Sequence, residues 1–260
     1  MSGFSTQWLD LREPADHAAR DPGLLAQVET RLGGRASVTL VDLGCGTGST
    51  FRALAPRLPA AQSWRLVDHD PVLIQAATAR IGLQAHVQAH PRDLRALDTL
   101  PLAGADLVTA SALLDLAGAD WLAALAAALQ HAGVGLYAAL NYDGQMHWSP
   151  SLADDAAVLD AFNRHQRSDK GLGPALGPRA GATLAQQLRA QGFTVHTAPS
   201  PWRMQGASPF QRALLEGIAL AAAEAGLGHR RSQAWLAQRL ALMDRGRCHV
   251  GHLDVLAWPP

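Results

Sequence analysis

Residues 41 to 48 read Val-Asp-Leu-Gly-Cys-Gly-Thr-Gly, and they lie between the apolar run SVTLVD at 37 to 42 and the helical stretch FRALAPRL. Three glycines within five positions let the backbone turn sharply there and let a ligand approach it closely. The helix that follows presents free N–H groups and a partial positive charge to that ligand. A strand, a glycine turn and a helix in this order constrain the chain to an α/β layer with its ligand site at the carboxyl edge of the sheet.

The rest of the chain repeats the pattern. Further strands are predicted at 63 to 68, 85 to 90, 105 to 110, 133 to 142 and 193 to 198, and the last runs from Cys248. Helices are predicted between them, with Asp70-Pro71 opening one and Gly133 closing another. Short apolar strands alternating with helices predict a Rossmann-like, doubly wound α/β fold. The expectation is a mostly parallel seven-stranded sheet with an antiparallel last strand. We read one domain: a helical cap at 1–34, a cofactor-binding half at 36–141, a lid or acceptor insertion at 142–182, and a C-terminal half at 183–260 with a helical insertion at 208–245.

Composition narrows the function. Among 260 residues, 48% are hydrophobic and 17% charged, which supplies a sizeable core. Twenty-two basic residues balance 22 acidic ones, which argues against a nucleic acid partner bound by phosphate neutralisation. Two cysteines, Cys45 and Cys248, form neither a zinc spacing nor a disulfide framework, which fits a reducing cytoplasm. The first residues contain no apolar signal core, and no apolar run reaches the roughly 20 residues of a membrane span. Nothing in the sequence specifies an oligomeric state. Lys170 is the single lysine among the 22 basic residues.

The glycine spacing decides between two cofactor classes. A dinucleotide fingerprint requires G-x-G-x-x-G, but here Ser49 takes the place of its third glycine. Asp42, at the end of the strand, would repel a pyrophosphate and suits a cationic sulfonium or ammonium. VDLGCGTG closely resembles the first motif of the class I S-adenosylmethionine-dependent methyltransferases. The resemblance covers residues 36 to 141 and extends more loosely over 183 to 257. It implies S-adenosylmethionine as cofactor, S-adenosylhomocysteine as product, and methyl transfer as the activity.

The resemblance also implies roles for particular residues. Gly44, Cys45, Gly46 and Gly48 would lie against the methionine part of the cofactor, and Asp42 would help hold its amino acid moiety. Asp68 would accept hydrogen bonds from the ribose hydroxyls, with His69 beside it. Asp93 would approach the adenine amino group, with Leu94 flanking the ring. Ser111, after the fourth strand, would stand near the transferring methyl. As bland alternatives, Asp68 is only a strand end and Asp93 only the cap of a short helix.

The acceptor is expected beyond the carboxyl ends of the strands. Tyr142, His147, Trp148, Phe162, His165 and Lys170 concentrate in the insertion, and aromatic rings with a few polar groups suit a small organic molecule. Tyr142, His147, His165 and Lys170 are the candidate catalytic residues: the histidines as bases and Lys170 as partner of an anionic substrate group. Trp8, Arg12 and Arg20 are candidates to cap the pocket, although a helix packed on the sheet edge is the favoured reading. Asp115 and Trp202 are further pocket candidates, while His249 and His252 read as structural. No metal site is expected, and Asp143, Asp154 and Asp155 leave only a small opening for one. Three rival readings remain: a methyltransferase acting on protein or RNA, a cofactor-binding protein without turnover, and a nicotinamide oxidoreductase.

Overall fold

In the computed structural model, which describes residues 5–260, eight strands form one sheet: β1 (Ser37–Leu43), β2 (Ala61–Asp68), β3 (His86–Pro91), β4 (Leu107–Ser111), β5 (Gly135–Ser149), β6 (Thr194–Pro199), β7 (Trp202–Gln205) and β8 (Arg247–Trp258). Their order is β3-β2-β1-β4-β5-β8-β6, with β7 paired to β8. The pairs among β1 to β5 are parallel, whereas β8 runs antiparallel to β5, β6 and β7. This is the expected Rossmann-like fold, and the order reverses at β1, which places the glycine turn at the switch point.

Among the described residues, nine α-helices accompany the sheet: α1 (Thr6–Ala19), α2 (Pro22–Leu32), α3 (Ser49–Leu54), α4 (Pro71–Ile81), α5 (Ala119–Ala132), α6 (Asp155–Gln166), α7 (Ala180–Ala190), α8 (Pro209–Ala222) and α9 (His229–Ala241). Local chemistry sets their ends. Asp21 and Asp70 accept hydrogen bonds from the Leu24 and Val72 amides, each just before a proline. Gly133 closes α5 in the left-handed conformation, at φ 62°. The expected cap at 1–34 is helical, although residues 1–4 lie outside the described residues. Two buried clusters fill the core, one holding Leu40, Trp64 and Tyr137 and the other Val41, Leu122 and Leu136. Neighbouring residues of β1 enter different clusters, as the alternation of side chains along a strand requires.

Two expectations need correction. The sheet has eight strands, because Trp202–Gln205 pairs with β8. And the segment after Tyr142 is not loop at once: β5 continues to Ser149, with register irregularities between Ala138 and Asn141 and between Tyr142 and Met146. Met146 and Trp148 are buried while Gln145, His147 and Ser149 are exposed, the period of a strand with one face covered. Among the described residues, no helix is long and apolar enough to cross a membrane.

Candidate active site

The glycine turn takes its shape from left-handed backbone at Gly44, Gly46 and Gly48, with φ of 61°, 51° and 85°. Side chains there would be strained. They would also be crowded: a Cβ on Gly44 would come 3.2 Å from Leu113 Cδ1, and one on Gly46 3.2 Å from Leu9 Cδ1. The turn is pinned to the next strand. The Cys45 amide donates to the Val67 carbonyl (3.1 Å), and the Gly46 amide to Asp68 Oδ2 (3.0 Å).

A cleft runs along this turn. Gly44, Cys45, Gly46, Asp68, His69, Asp93, Leu94 and Ser111 line it, together with Leu9, Arg12 and Asp16 from α1. Asp68 Oδ1 accepts from the Asp70 amide at 3.0 Å. Its two oxygens thus have one backbone partner each and keep further acceptor capacity. Asp93 lines the cleft and also caps its own turn, accepting from the Arg95 amide (2.9 Å) and Arg95 Nε (2.8 Å). Hydrogen bonding to Arg95 holds its carboxyl below the usual range. Leu94 is buried, and its carbonyl accepts from Trp121 Nε1 at 2.7 Å. Burial pushes the Cys45 thiol up, so it is no thiolate.

Two of the expected cofactor residues are not on the cleft wall. Gly48 packs against Ala77 and Arg52 at the start of α3. Asp42 is fully buried beneath the turn, where its Oδ1 accepts from Thr109 Oγ1 at 2.7 Å and its Oδ2 has no partner. Burial raises its pKa to about 7, opposed by the Thr109 hydrogen bond and by the Arg20 charge. Arg20 is itself buried, and its Nη2 donates to Ser111 Oγ at 2.9 Å. It therefore lies behind the cleft and does not cap a pocket.

A second cavity, of about 720 Å³, adjoins the first, and Arg12, Ala112 and Leu116 line both. Trp8, Tyr142, Phe162 and Trp202 supply its aromatic wall, while Asp115, His165, Lys170 and His252 supply polar groups. Ala112 and Leu140, the two non-glycine residues with positive φ among the described residues, both line it. Such strained backbone clusters at functional sites. Tyr142 OH donates to Asn163 Oδ1 at 2.9 Å, and its ring meets Phe162 edge-on. Lys170 Nζ lies 3.4 Å from His165 Nδ1, whose other ring nitrogen is 3.0 Å from Glu224.

The structure thus brings Tyr142, His165 and Lys170 to one cavity and leaves His147 out. His147 occupies the exposed phase of β5, opposite to Met146, and stacks on His249 with ring centroids 6.0 Å apart. Conversely, His252, expected to be structural, lines the second cavity, with an unpartnered Nδ1 and a pKa driven down by burial to about 3. α1 does more than pack on a sheet edge: Trp8, Leu9 and Arg12 reach the cavities. Asp154 and Asp155 are taken up by Arg231 and Arg239.

The family model described as a methyltransferase domain matches residues 41–135, the stretch from the glycine turn to the start of β5. Over that stretch the chain carries a methyltransferase domain, and its cofactor is S-adenosylmethionine. Its fold is similar to that of the cyclopropane synthase MmaA2 from Mycobacterium tuberculosis (14% identity, 98% of this chain and 94% of that one, TM-score 0.54). It is also similar to YcgJ from Bacillus subtilis (14%, 92% and 100%, 0.52) and to the magnesium protoporphyrin IX methyltransferase ChlM from Synechocystis PCC 6803, solved with bound S-adenosylhomocysteine (12%, 99% and 89%, 0.52). No curated protein matches in sequence. The methyltransferase cleft fits its cofactor: an amide-rich turn, carboxylates at the ends of two successive strands, apolar Leu73 and Leu94, and a buried Thr47 hydroxyl without a partner. When bound, S-adenosylmethionine supplies an activated methyl group on a cationic sulfur.

Proposed function

We propose that this methyltransferase acts on a small organic acceptor, seated in the second cavity and meeting the methyl group where Arg12, Ala112 and Leu116 form the common wall. The observation that carries this reading is the adjacency of the two cavities. One has the polar turn a nucleoside needs, and the other is aromatic and of small-molecule size. In this reading Asp68 takes the ribose hydroxyls, and Asp93 with Leu94 takes the adenine. Gly44, Cys45 and Gly46 face the methionine part, with His69 and Ser111 along the cleft. Asp42 acts from beneath, as a positioning residue for the turn, and Gly48 shapes the start of α3. Tyr142 and His165 shape the acceptor site, and Lys170 meets an anionic substrate group.

The chain is read as one domain, with α1 and α2 as its cap and residues 142–182 as the acceptor wall. Two buried free cysteines suit a reducing compartment, and we place the protein in the cytoplasm. The test pairs calorimetry with turnover. S-adenosylhomocysteine is titrated first, and S-adenosylhomocysteine release is then followed with a panel of aromatic alcohols, amines and carboxylates. Lys170→Ala is expected to leave nucleoside affinity within about twofold and to cut kcat/KM for the anionic acceptors by about tenfold or more. Turnover of RNA or protein and of no small acceptor would overturn the reading.

A further inference from the structure

Arg12 enters from α1 and lines both cavities. Only 9% of its side chain is exposed, yet its guanidinium is not used up. The Nε–H donates to Asp16 Oδ2 at 2.8 Å, and the other Asp16 oxygen accepts from Trp202 Nε1 at 2.9 Å. Among the described residues Nη1 and Nη2 have no hydrogen-bond partner, and both stay open to a water-sized molecule. A cation so far out of solvent with its terminal donors unused is costly, and an anion that enters the cavity would relieve it.

The head of the residue belongs to the second cavity. Its Cζ lies 5.4 Å from the centroid of the Trp202 ring, and that ring is 4.5 Å from His252. Trp202 and His252 line the second cavity and not the first. A file of rings continues along the wall, from His252 to Tyr142 at 6.2 Å and from Tyr142 to Phe162 at 5.6 Å. A cation with free donors beside such a wall suits a ring compound that carries an anionic group.

We infer that Arg12 takes a carboxylate of the acceptor, so that the acceptors are aromatic carboxylates with this group close to the atom that receives the methyl. The inference rests on the acceptor-cavity reading above, and the contact is separate from the one given to Lys170. A planar carboxylate matches the two terminal nitrogens of the guanidinium, which donate to it in parallel. A phosphate dianion fits less well, because Asp115 and Asp169 also line the cavity and repel the added charge. Asp16 and Trp202 hold the fork in place before the acceptor arrives, so little ordering is left to oppose binding.

The test uses the full chain saturated with S-adenosylhomocysteine, with Lys170→Ala to silence the other cation. It compares 2-naphthoate with its neutral twin 2-naphthamide by calorimetry. The Lys170→Ala protein is expected to bind 2-naphthoate about tenfold to a hundredfold more tightly than the amide, the range of hydrogen bonds to a charged group. Adding Arg12→Gln is expected to erase that preference while 2-naphthamide binding stays within about threefold. S-adenosylhomocysteine affinity is expected to change by less than about fivefold. A preference that survives Arg12→Gln, or that is absent from the start although the amide binds, overturns the role of Arg12 and leaves the cavity reading standing. A surviving preference with a large loss of S-adenosylhomocysteine affinity would give Arg12 to the nucleoside instead. If neither compound binds, the cavity reading falls too. Should Arg12→Gln fail to fold, Arg12→Lys serves: it keeps the charge, loses the fork and is expected to cut the preference by about fivefold or more. A preference of full size in that variant overturns the proposal.

Discussion

Asp68 and Gly46 are coupled through one hydrogen bond, and substitutions at the two positions are expected to fail differently. Asp68→Ala removes the acceptor of both the Gly46 and Asp70 amides as well as a cleft carboxylate. S-adenosylhomocysteine affinity is expected to drop by on the order of 1–3 kcal/mol in calorimetry. Gly46→Val places a β-branched residue at φ 51° and drives its Cβ toward Leu9. It is expected to lower stability by about 1–2 kcal/mol in chemical denaturation and to abolish nucleoside binding. His252 gives a pH signature. Its folded pKa, about 3, lies below the ordinary 6.5, so between those values the unfolded chain binds more protons. Stability from this group is full above pH 6.5 and declines as pH falls toward 3. The thermal midpoint of the wild type is therefore expected to drop more between pH 7 and pH 5 than that of His252→Phe. That Gly44, Gly46, Asp68 and Asp93 would come to one cleft was legible because a turn of this kind announces itself locally. His252 was not, since a histidine on a C-terminal strand gains its place only when β8 inserts beside β5.

At the scale of elements, α1 and β5 account for what the sequence hid. β5 reads as ending at Tyr142 because Asp143 and Gly144 look like a turn. They are instead an irregularity in a strand that resumes its alternation at Gln145. That continuation carries His147 away from the second cavity while Met146 enters it. For α1 the apolar residues were visible, but the tethers that hold it over the site are long-range. Glu13 Oε1 accepts from Arg52 Nε at 2.5 Å, and Asp10 Oδ2 from Arg80 Nη2 at 2.9 Å. Replacing both acids by alanine is expected to weaken S-adenosylhomocysteine binding several-fold, since Leu9 and Arg12 line its cleft. The far-ultraviolet spectrum is expected to stay largely unchanged. Titration of the double variant against wild type measures this, and equal affinities would show that the helix roof contributes nothing to retention.

Across the whole molecule, Asp254 ties distant parts together. Its carboxylate accepts from Tyr137 OH (2.9 Å), the Leu140 amide (2.8 Å) and the Asp21 amide (3.2 Å), joining β8, β5 and the junction of α1 and α2. Asp254→Ala strands these donors and leaves buried Arg20 with less compensating charge. It is expected to cost about 3 kcal/mol or more in denaturant unfolding. The parallel half of the sheet could be anticipated from periodicity alone. The antiparallel half depends on pairings of β8 with strands far from it in sequence, from Gln205 with Arg247 to Leu136 with Ala257, which no local pattern encodes. Because α1 contributes Leu9 and Arg12 to the first cavity and Trp8 and Arg12 to the second, a shift of that helix cannot reshape one without the other. Whatever loosens its seat is therefore expected to be felt in both at once.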